Sequence, residues 1–180
     1  KDFIAYIDEG KTKLFSSPIY FSCETDIIKL EVAVEYTDSY TENTFSYVNN
    51  IPTTEGGTHE TGFKSAWTKV FNDFARNNGY LKEKDQNFLG EDFREGITCV
   101  LALKMHNVEF EGQTKTKLGN PEAKTEVEKA TTLELSKILA NKDYLKIAEI
   151  VIEKAKAAAK TREAAKRAKE LSRAKSNADN

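Results

Sequence analysis

The sequence predicts an α+β fold: a mixed sheet with helices packed on one face, continued by a long basic helix at the C-terminus. Three observations carry this. "IYFSCET", "IIKLEVAVEYT" and "NTFSYVNN", between Ile19 and Asn50, are β-branched and aromatic runs separated by polar turn residues, the texture of strands. Phe63, Ala66, Trp67, Val70, Phe71 and Phe74 recur at the spacing of one helical face. Residues 143–175 hold neither glycine nor proline, so they can run as one rod about 50 Å long at 1.5 Å per residue.

Taken in order, Phe3, Ile4 and Ile7 are spaced as the last turns of a helix. Leu30, Val32, Val34 and Tyr36 then alternate with other residues, so the three runs from Ile19 read as an antiparallel meander with one wet face. The amphipathic helix over 62–77 ends at Asn77-Asn78-Gly79, a stop signal that admits a left-handed residue. "GITCVLALKM" is an apolar run of strand length, and "VEFEG" a shorter partner beside it. Pro121 stands at a first helical position, followed by Val127, Ala130, Leu133, Leu135, Ile138 and Leu139. Tyr144 begins the last helix, apolar through Ile147, Ile150 and Val151 before it becomes alanine-rich and basic.

Composition bounds the rest. With 180 residues, 39% hydrophobic and 31% charged, the chain has the material for one domain with a real core. No apolar run approaches the 18 residues of a membrane span, and no basic n-region with an apolar h-region opens the chain. The sequence starts without methionine, and a piece of a longer protein is expected. Cys23 and Cys99 each lie in an apolar strand-like run, which supports neither a disulfide framework nor a thiolate metal site and fits a reducing cytoplasm. Residues 154–175 carry nine Lys/Arg against Glu163 and Glu170, an excess of +7 in a chain whose total is -2. An acidic body with a basic tail points to a polyanionic partner at one end.

"EGGTHETGFKS", residues 55–65, nearly spells a phosphate-binding P-loop. That motif needs its lysine directly after the second glycine, so that the ammonium returns to the phosphates. Here Phe63 intervenes between Gly62 and Lys64, turning the lysine about 100° away on a helix. The stretch also follows a meander instead of the buried parallel strand of a βαβ unit. A structural reading is better: Gly56-Gly57 makes a turn, Thr58 caps the helix, and Glu60 sits at its positive end. His59 and His106 are far apart with no metal-type neighbours, and Asp38, Glu42, Asp92 and Glu95 have no spacing that nominates an acid/base pair. No metal site and no nucleophile with its base is expected.

As a whole string, "YVNNIPTTEGGTHETGFKSA" resembles the segment opening the second domain's long helix in the B subunits of bacterial type II topoisomerases, those of DNA gyrase and of topoisomerase IV. "GEDFREG" at 90–96, "FEGQTKTKLGN" at 110–120 and "REAAKRAKELSR" at 162–173 extend the resemblance. It covers nearly the whole chain in family order. The resemblance implies a transducer domain over 1–142 with a ribosomal-protein-S5-domain-2-like fold and a left-handed crossover, continued by a long basic helix with a frayed tail over 143–180. It implies an upstream GHKL-type ATPase domain and a downstream metal-binding toprim domain, neither of them in this sequence. The intact protein would be an ATP-dependent type II DNA topoisomerase. ATP and Mg2+ would be held mainly by the absent domains, with none bound by this segment alone. Its partners would be duplex DNA, its own upstream ATPase domain, a second copy on ATP binding, and the A-type subunit of a heterotetramer, which supplies the DNA-breaking tyrosine. No membrane partner is implied.

By the same resemblance, Gln113 and Lys115 match the positions that reach into the neighbouring ATPase site and touch the γ-phosphate, Lys115 as a catalytic residue. From residue types alone, the segment between Gly112 and Gly119 is an ordinary solvated loop. Lys117 matches no such role. Lys64 matches a cationic position facing the cavity between two subunits, a DNA-binding candidate whose contact would be non-specific. Arg162, Lys166, Arg167 and Arg173 are the DNA-binding candidates on the basic helix, whose plain alternative is a solvated face supported by pairs such as Glu163 with Arg167. The rival function is a non-enzymatic nucleic-acid-binding or ribosome-associated domain of the same fold. It leaves "QTKTK" without a task. A mismatch-repair ATPase is disfavoured by "GGTHETGF" and "REAAKRAKE".

Overall fold

The strand face that points inward is set by Leu30, Val32, Val34 and Tyr36, all at most 1% exposed in a computed structural model that describes residues 2–179. These residues lie on β2 (Ile28–Tyr36), which pairs antiparallel with β1 (Ile19–Glu24) on one side. On its other side lies β5 (Ile97–Met105), with Val32 opposite Leu101 and Val34 opposite Cys99. β3 (Asn43–Val48) runs parallel to β5, and the short β4 (Ile51–Pro52) closes the far edge in the order β1-β2-β5-β3-β4.

The expected antiparallel meander is therefore wrong beyond its first hairpin, because β5 inserts between β2 and β3. Alternation tells which way a side chain points, not which strand lies beside it. The residue types of β5 did carry part of the information: Ile97, Cys99, Leu101 and Leu103 are buried on one side, and Thr98, Val100 and Ala102 on the other are buried or half-buried, a nearly continuous apolar run that suits a central strand better than an edge. β3 and β4 are joined by Asn49-Asn50, both at positive φ (48° and 67°), the two-residue turn whose twist matches a hairpin. The expected strand at "VEFEG" is reduced to one antiparallel bridge, Phe110 with Leu118.

Helix α2 (Thr58–Asn77) crosses from β4 towards β5 and lays Phe63, Trp67 and Phe71 along the inner face, with centroids 5.4 and 4.8 Å apart. The Trp67 indole donates to the Tyr36 hydroxyl at 3.2 Å, and that hydroxyl donates to the Phe93 carbonyl at 2.5 Å. Burial pushes the Tyr36 phenol well above its usual pKa. α2 ends as expected, with Asn78 as cap and Gly79 at φ 80°. α3 (Pro121–Ala140), with its proline in the first turn, packs beside α2. Gly62 permits this: a Cβ there would lie 2.4 Å from the Lys124 carbonyl oxygen. After a 3-10 turn at Lys142–Tyr144, α4 (Leu145–Ala178) runs unbroken. Ile147, Val151, Ile152 and Ala155 join the core, and from residue 163 every described side chain is exposed.

The second face of the sheet is less wet than expected, because α1 (Asp2–Ile7) covers part of it. Ile4 is fully buried, and the Phe3 ring meets Phe45 and Tyr47 edge-on at 6.1 and 6.5 Å. Asp8, also fully buried, accepts from the Thr98 hydroxyl at 2.8 Å and contacts Lys11 at 3.4 Å. Burial first, and a hydrogen bond with Asp8 second, raise the neighbouring Glu35 carboxyl to a pKa of about 7 against the pull of Lys13.

Candidate functional site

The near P-loop sequence builds a seat for another loop, not a cradle for phosphate. Gly56 and Gly57 sit at φ 73° and 136°, and Gly57, not Thr58, is the N-terminal cap of α2. Thr58 is the first helical residue, and its hydroxyl is buried without a partner among the described residues. At Gly57 the chain touches Leu118: a Cβ would lie 2.4, 2.5 and 2.8 Å from the Leu118 carbonyl oxygen, amide nitrogen and Cα. Two backbone hydrogen bonds use that proximity, Thr58 N–H to the Leu118 carbonyl at 3.1 Å and Leu118 N–H to the Gly56 carbonyl at 3.0 Å.

Around this contact the 107–120 loop is tied down at its base. Glu55 N–H donates to the Thr116 carbonyl at 2.9 Å, and the Thr116 hydroxyl donates to the Glu55 carboxylate. Glu111 N–H reaches the Lys117 carbonyl at 2.8 Å, and Gly119 N–H the Glu109 carbonyl at 2.8 Å. Buried Asn120 accepts from Glu109 N–H at 2.6 Å and donates to the Asn107 carbonyl at 2.9 Å. A fully buried Leu118 supplies the apolar anchor. What remains outside is the tip: Gln113, Thr114 and Lys115 are exposed. Lys117 pairs with Glu111 at 3.1 Å, whereas Lys115 has no carboxylate partner among the described residues.

Behind the seat lies a buried polar chain that reading the sequence missed. His59, whose sequence neighbours nominate no metal site, is fully buried in the first turn of α2, with Nε2 3.0 Å from the Thr53 hydroxyl. Thr53 contacts the Ser46 hydroxyl at 2.6 Å, and Ser46 donates to Glu60 at 2.8 Å. Burial lowers the His59 pKa to about 4, so the imidazole is neutral at physiological pH. The missed signal was the string of small polar residues at Ser46 and Thr53, each on a strand or its edge with inward register. His106 is exposed just past the end of β5.

The candidate cations fall into two groups. Lys166 and Arg173 are exposed on the free part of α4, as is Arg167, which lies 4.0 Å from Glu163. Lys64 and Arg162 are placed differently. Lys64 is paired with Glu42 at 3.0 Å and lies 4.0 Å from Glu60, on the wall of an open groove of about 590 Å3 shared with Lys69 and Arg94. Arg162 forks onto the buried Asp92, Nε to Oδ1 at 3.1 Å and Nη2 to Oδ2 at 3.0 Å, with Glu91 at 3.7 Å. Glu42, Asp92 and Asp8 thus hold cations, and among the described residues no cluster of three or more His, Cys, Asp or Glu could bind a metal.

A domain that presents its free polar groups on a seated loop and a projecting rod is built to act on something outside itself. Its relatives say what kind of protein carries it. A family model described as DNA gyrase B matches residues 1–171. The DNA gyrase B protein of Streptococcus pneumoniae serotype 4 is 49% identical over 178 residues, 97% of this chain and 26% of that protein. That of Clostridium acetobutylicum is 47% identical over 177 residues, 98% of this chain and 28% of that one. A crystal structure of the 43K ATPase domain of Thermus thermophilus gyrase B, in complex with an aminocoumarin, superposes with a TM-score of 0.84 at 38% identity, over 94% of this chain and 45% of that one. The topoisomerase IV ATP-binding domain of Francisella tularensis, with a small-molecule inhibitor, gives 0.72 at 27% identity, over 87% and 42%. The chain belongs to the DNA gyrase B family of type II topoisomerases. It spans about a quarter of the length of those two gyrase B proteins.

Proposed function

We propose that the chain is the transducer domain of an ATP-dependent type II DNA topoisomerase, with a ribosomal-protein-S5-domain-2-like fold and a left-handed crossover from β3 to β5. It sits beside an ATPase domain on its N-terminal side and ahead of a toprim domain. Covering 45% of a chain described as a 43K ATPase domain supports its being one part of an ATP-binding unit.

The observation that carries this reading is the 107–120 loop. Its base is fixed by backbone and side-chain hydrogen bonds and by buried Leu118, while the exposed tip presents the Lys115 ammonium and the Gln113 amide without a partner among the described residues. A cation on a fixed support, free of local carboxylates, keeps its charge for an external anion. Donated to the terminal phosphate of ATP held next door, Lys115 and Gln113 would stabilise the charge that develops there during hydrolysis. Release of that phosphate removes their partner, which reports nucleotide state to this domain. ATP and Mg2+ belong mainly to the neighbouring domain.

At the other end, Lys166, Arg167 and Arg173 on the free part of α4 line the path of duplex DNA and contact phosphates without reading bases. Lys64 and Arg162, whose charge is offset locally, add less. The intact cytoplasmic enzyme would join the A-type subunit in a heterotetramer and dimerise through its ATPase domains when ATP binds. The test is ATP hydrolysis by this domain joined to its native upstream neighbour. Lys115→Ala is expected to lower the rate about 10²-fold or more, the effect of losing one transition-state donor. An unchanged rate refutes the phosphate contact and leaves Lys115 an ordinary loop lysine.

A further inference from the structure

α4 leaves the domain as a rod, and something must decide its direction. Its N-terminal half is held by apolar packing, by Glu149 accepting from the Tyr80 hydroxyl at 2.7 Å, and by Lys154 donating to the Ser39 carbonyl at 3.0 Å. The last residue of α4 with a polar contact to the body, among the described residues, is Arg162. Beyond it, sixteen helical residues project for about 24 Å at 1.5 Å per residue.

We infer that Arg162 is a positioning residue: its two-pronged grip on Asp92 sets the direction in which the free part of α4 leaves the domain. This rests on the transducer reading only for its consequence, that the grip aims Lys166, Arg167 and Arg173 at a duplex.

The acceptor is built to be immobile. Asp92 is 1% exposed, lies in the 3-10 turn Gly90–Phe93, and accepts from Leu89 N–H at 2.8 Å with the same oxygen that meets Nη2. The next residue, Phe93, is clamped between the rings of Phe71 and Phe88 at 5.8 and 5.6 Å, and its carbonyl takes the Tyr36 hydroxyl. A planar guanidinium bound through two nitrogens fixes orientation as well as distance, which a lysine ammonium cannot do. Asp92 therefore couples the helix to the Trp67-Tyr36-Phe93 chain at the centre of the core. A surface ion pair would contribute little. This one joins an exposed lever to a buried, hydrogen-bonded carboxylate.

The test is a distance measurement on this chain. Spin labels are placed at Ser136→Cys on α3 and Ser172→Cys on the free part of α4, both exposed positions, with Cys23→Ser and the buried Cys99 retained. Ser172 lies about 15 Å beyond Arg162, so a swing of about 20° moves its label by about 5 Å. The wild-type background should give a narrow distance distribution. Arg162→Ala should broaden or displace it by several ångström, and Arg162→Lys, which keeps the charge without the fork, should fall between. Since Arg162 is at the helix exit, Arg162→Ala should fold, checked by its thermal melt. A distribution identical to wild type in folded Arg162→Ala overturns the inference, even if the melting temperature drops, because that would be a stabilising contact and not a directing one. Duplex-DNA titration of the same proteins separates the two ideas: a moved helix with unchanged DNA affinity keeps the grip and sinks the reading of α4 as a duplex surface.

Discussion

Gly57→Ala should be strongly destabilising for a single added methyl. At φ 136° and ψ -164° the backbone occupies a region that is essentially reserved for glycine, at a cost of about 1 to 3 kcal/mol for any other residue. The added Cβ also meets backbone, not a side chain that can swing away, at 2.4, 2.5 and 2.8 Å. Relieving that overlap separates Gly57 from Leu118 and breaks the two hydrogen bonds between these segments, each contributing about 0.5 to 1.5 kcal/mol. The total is about 2 to 6 kcal/mol, a large part of the ~5 to 15 kcal/mol that holds a domain together. Urea unfolding of Gly57→Ala against wild type measures it. Gly112→Ala is the internal control: its φ is 78°, but nothing lies within 4 Å of the new Cβ, so it should cost only about 1 to 2 kcal/mol. Trypsin should also cut at Lys115 or Lys117 faster in Gly57→Ala, as the seat loosens. If Gly57→Ala costs no more than Gly112→Ala, the close approach to Leu118 is not what holds the loop.

Three other outcomes follow from the same geometry. Leu118→Ala, which empties the fully buried anchor, should lower stability by about 2 to 5 kcal/mol, seen as a shifted urea midpoint at unchanged slope. Glu35 has its folded pKa raised from 4.5 to about 7, so its favourable contribution is complete below pH 4.5 and lost as pH rises through 7. Glu35→Gln, neutral throughout, should therefore gain stability relative to wild type as pH rises from 4.5 through 7, on the order of 1 kcal/mol or more, and a pH-independent difference in parallel urea titrations would contradict the buried carboxyl pair. His59 acts in the opposite sense, its folded pKa being lowered from 6.5 to about 4, so its contribution is lost as pH falls through 4; wild type and variant both carry His59, which cancels. Replacing Lys166, Arg167 and Arg173 by Gln should reduce the slope of log affinity for duplex DNA against log salt by up to about 3, measured by fluorescence anisotropy, and an unaltered slope means these cations meet no phosphate.

Most elements were legible because their periods are local properties. The 3.6-residue repeat of Phe63 to Phe74 and the alternation from Leu30 to Tyr36 depend only on which face is buried, and both faces are where the pattern put them. Strand order was not legible, since β3 finds its neighbour among residues about fifty positions away. Lys115 is set apart by its place at the exposed tip of a loop whose base is tied to Glu55, Gly56 and Asn120, and no sequence spacing displays that. Gly56 and Gly57 are legible as a turn, but the reason for Gly57 sits at Leu118, on a segment that approaches only in the folded chain. Arg162 looked like one more basic residue of a charged helix, because Asp92, seventy positions earlier, gives no local hint of the pairing.

The position of β5 in the sheet has a consequence for how the molecule is made. Two hairpins, β1 with β2 and β3 with β4, can close from neighbouring residues, yet they share no edge until residues 97–105 arrive between them. During synthesis both halves therefore wait with open, unpaired edges while all of α2 is translated, a delay of several seconds at about 5 to 20 residues per second. Joining them closes long loops, which makes folding slow. Ribosome-bound chains ending before residue 97 should stay open to proteases and chaperones, and become resistant in one step once the fifth strand has emerged.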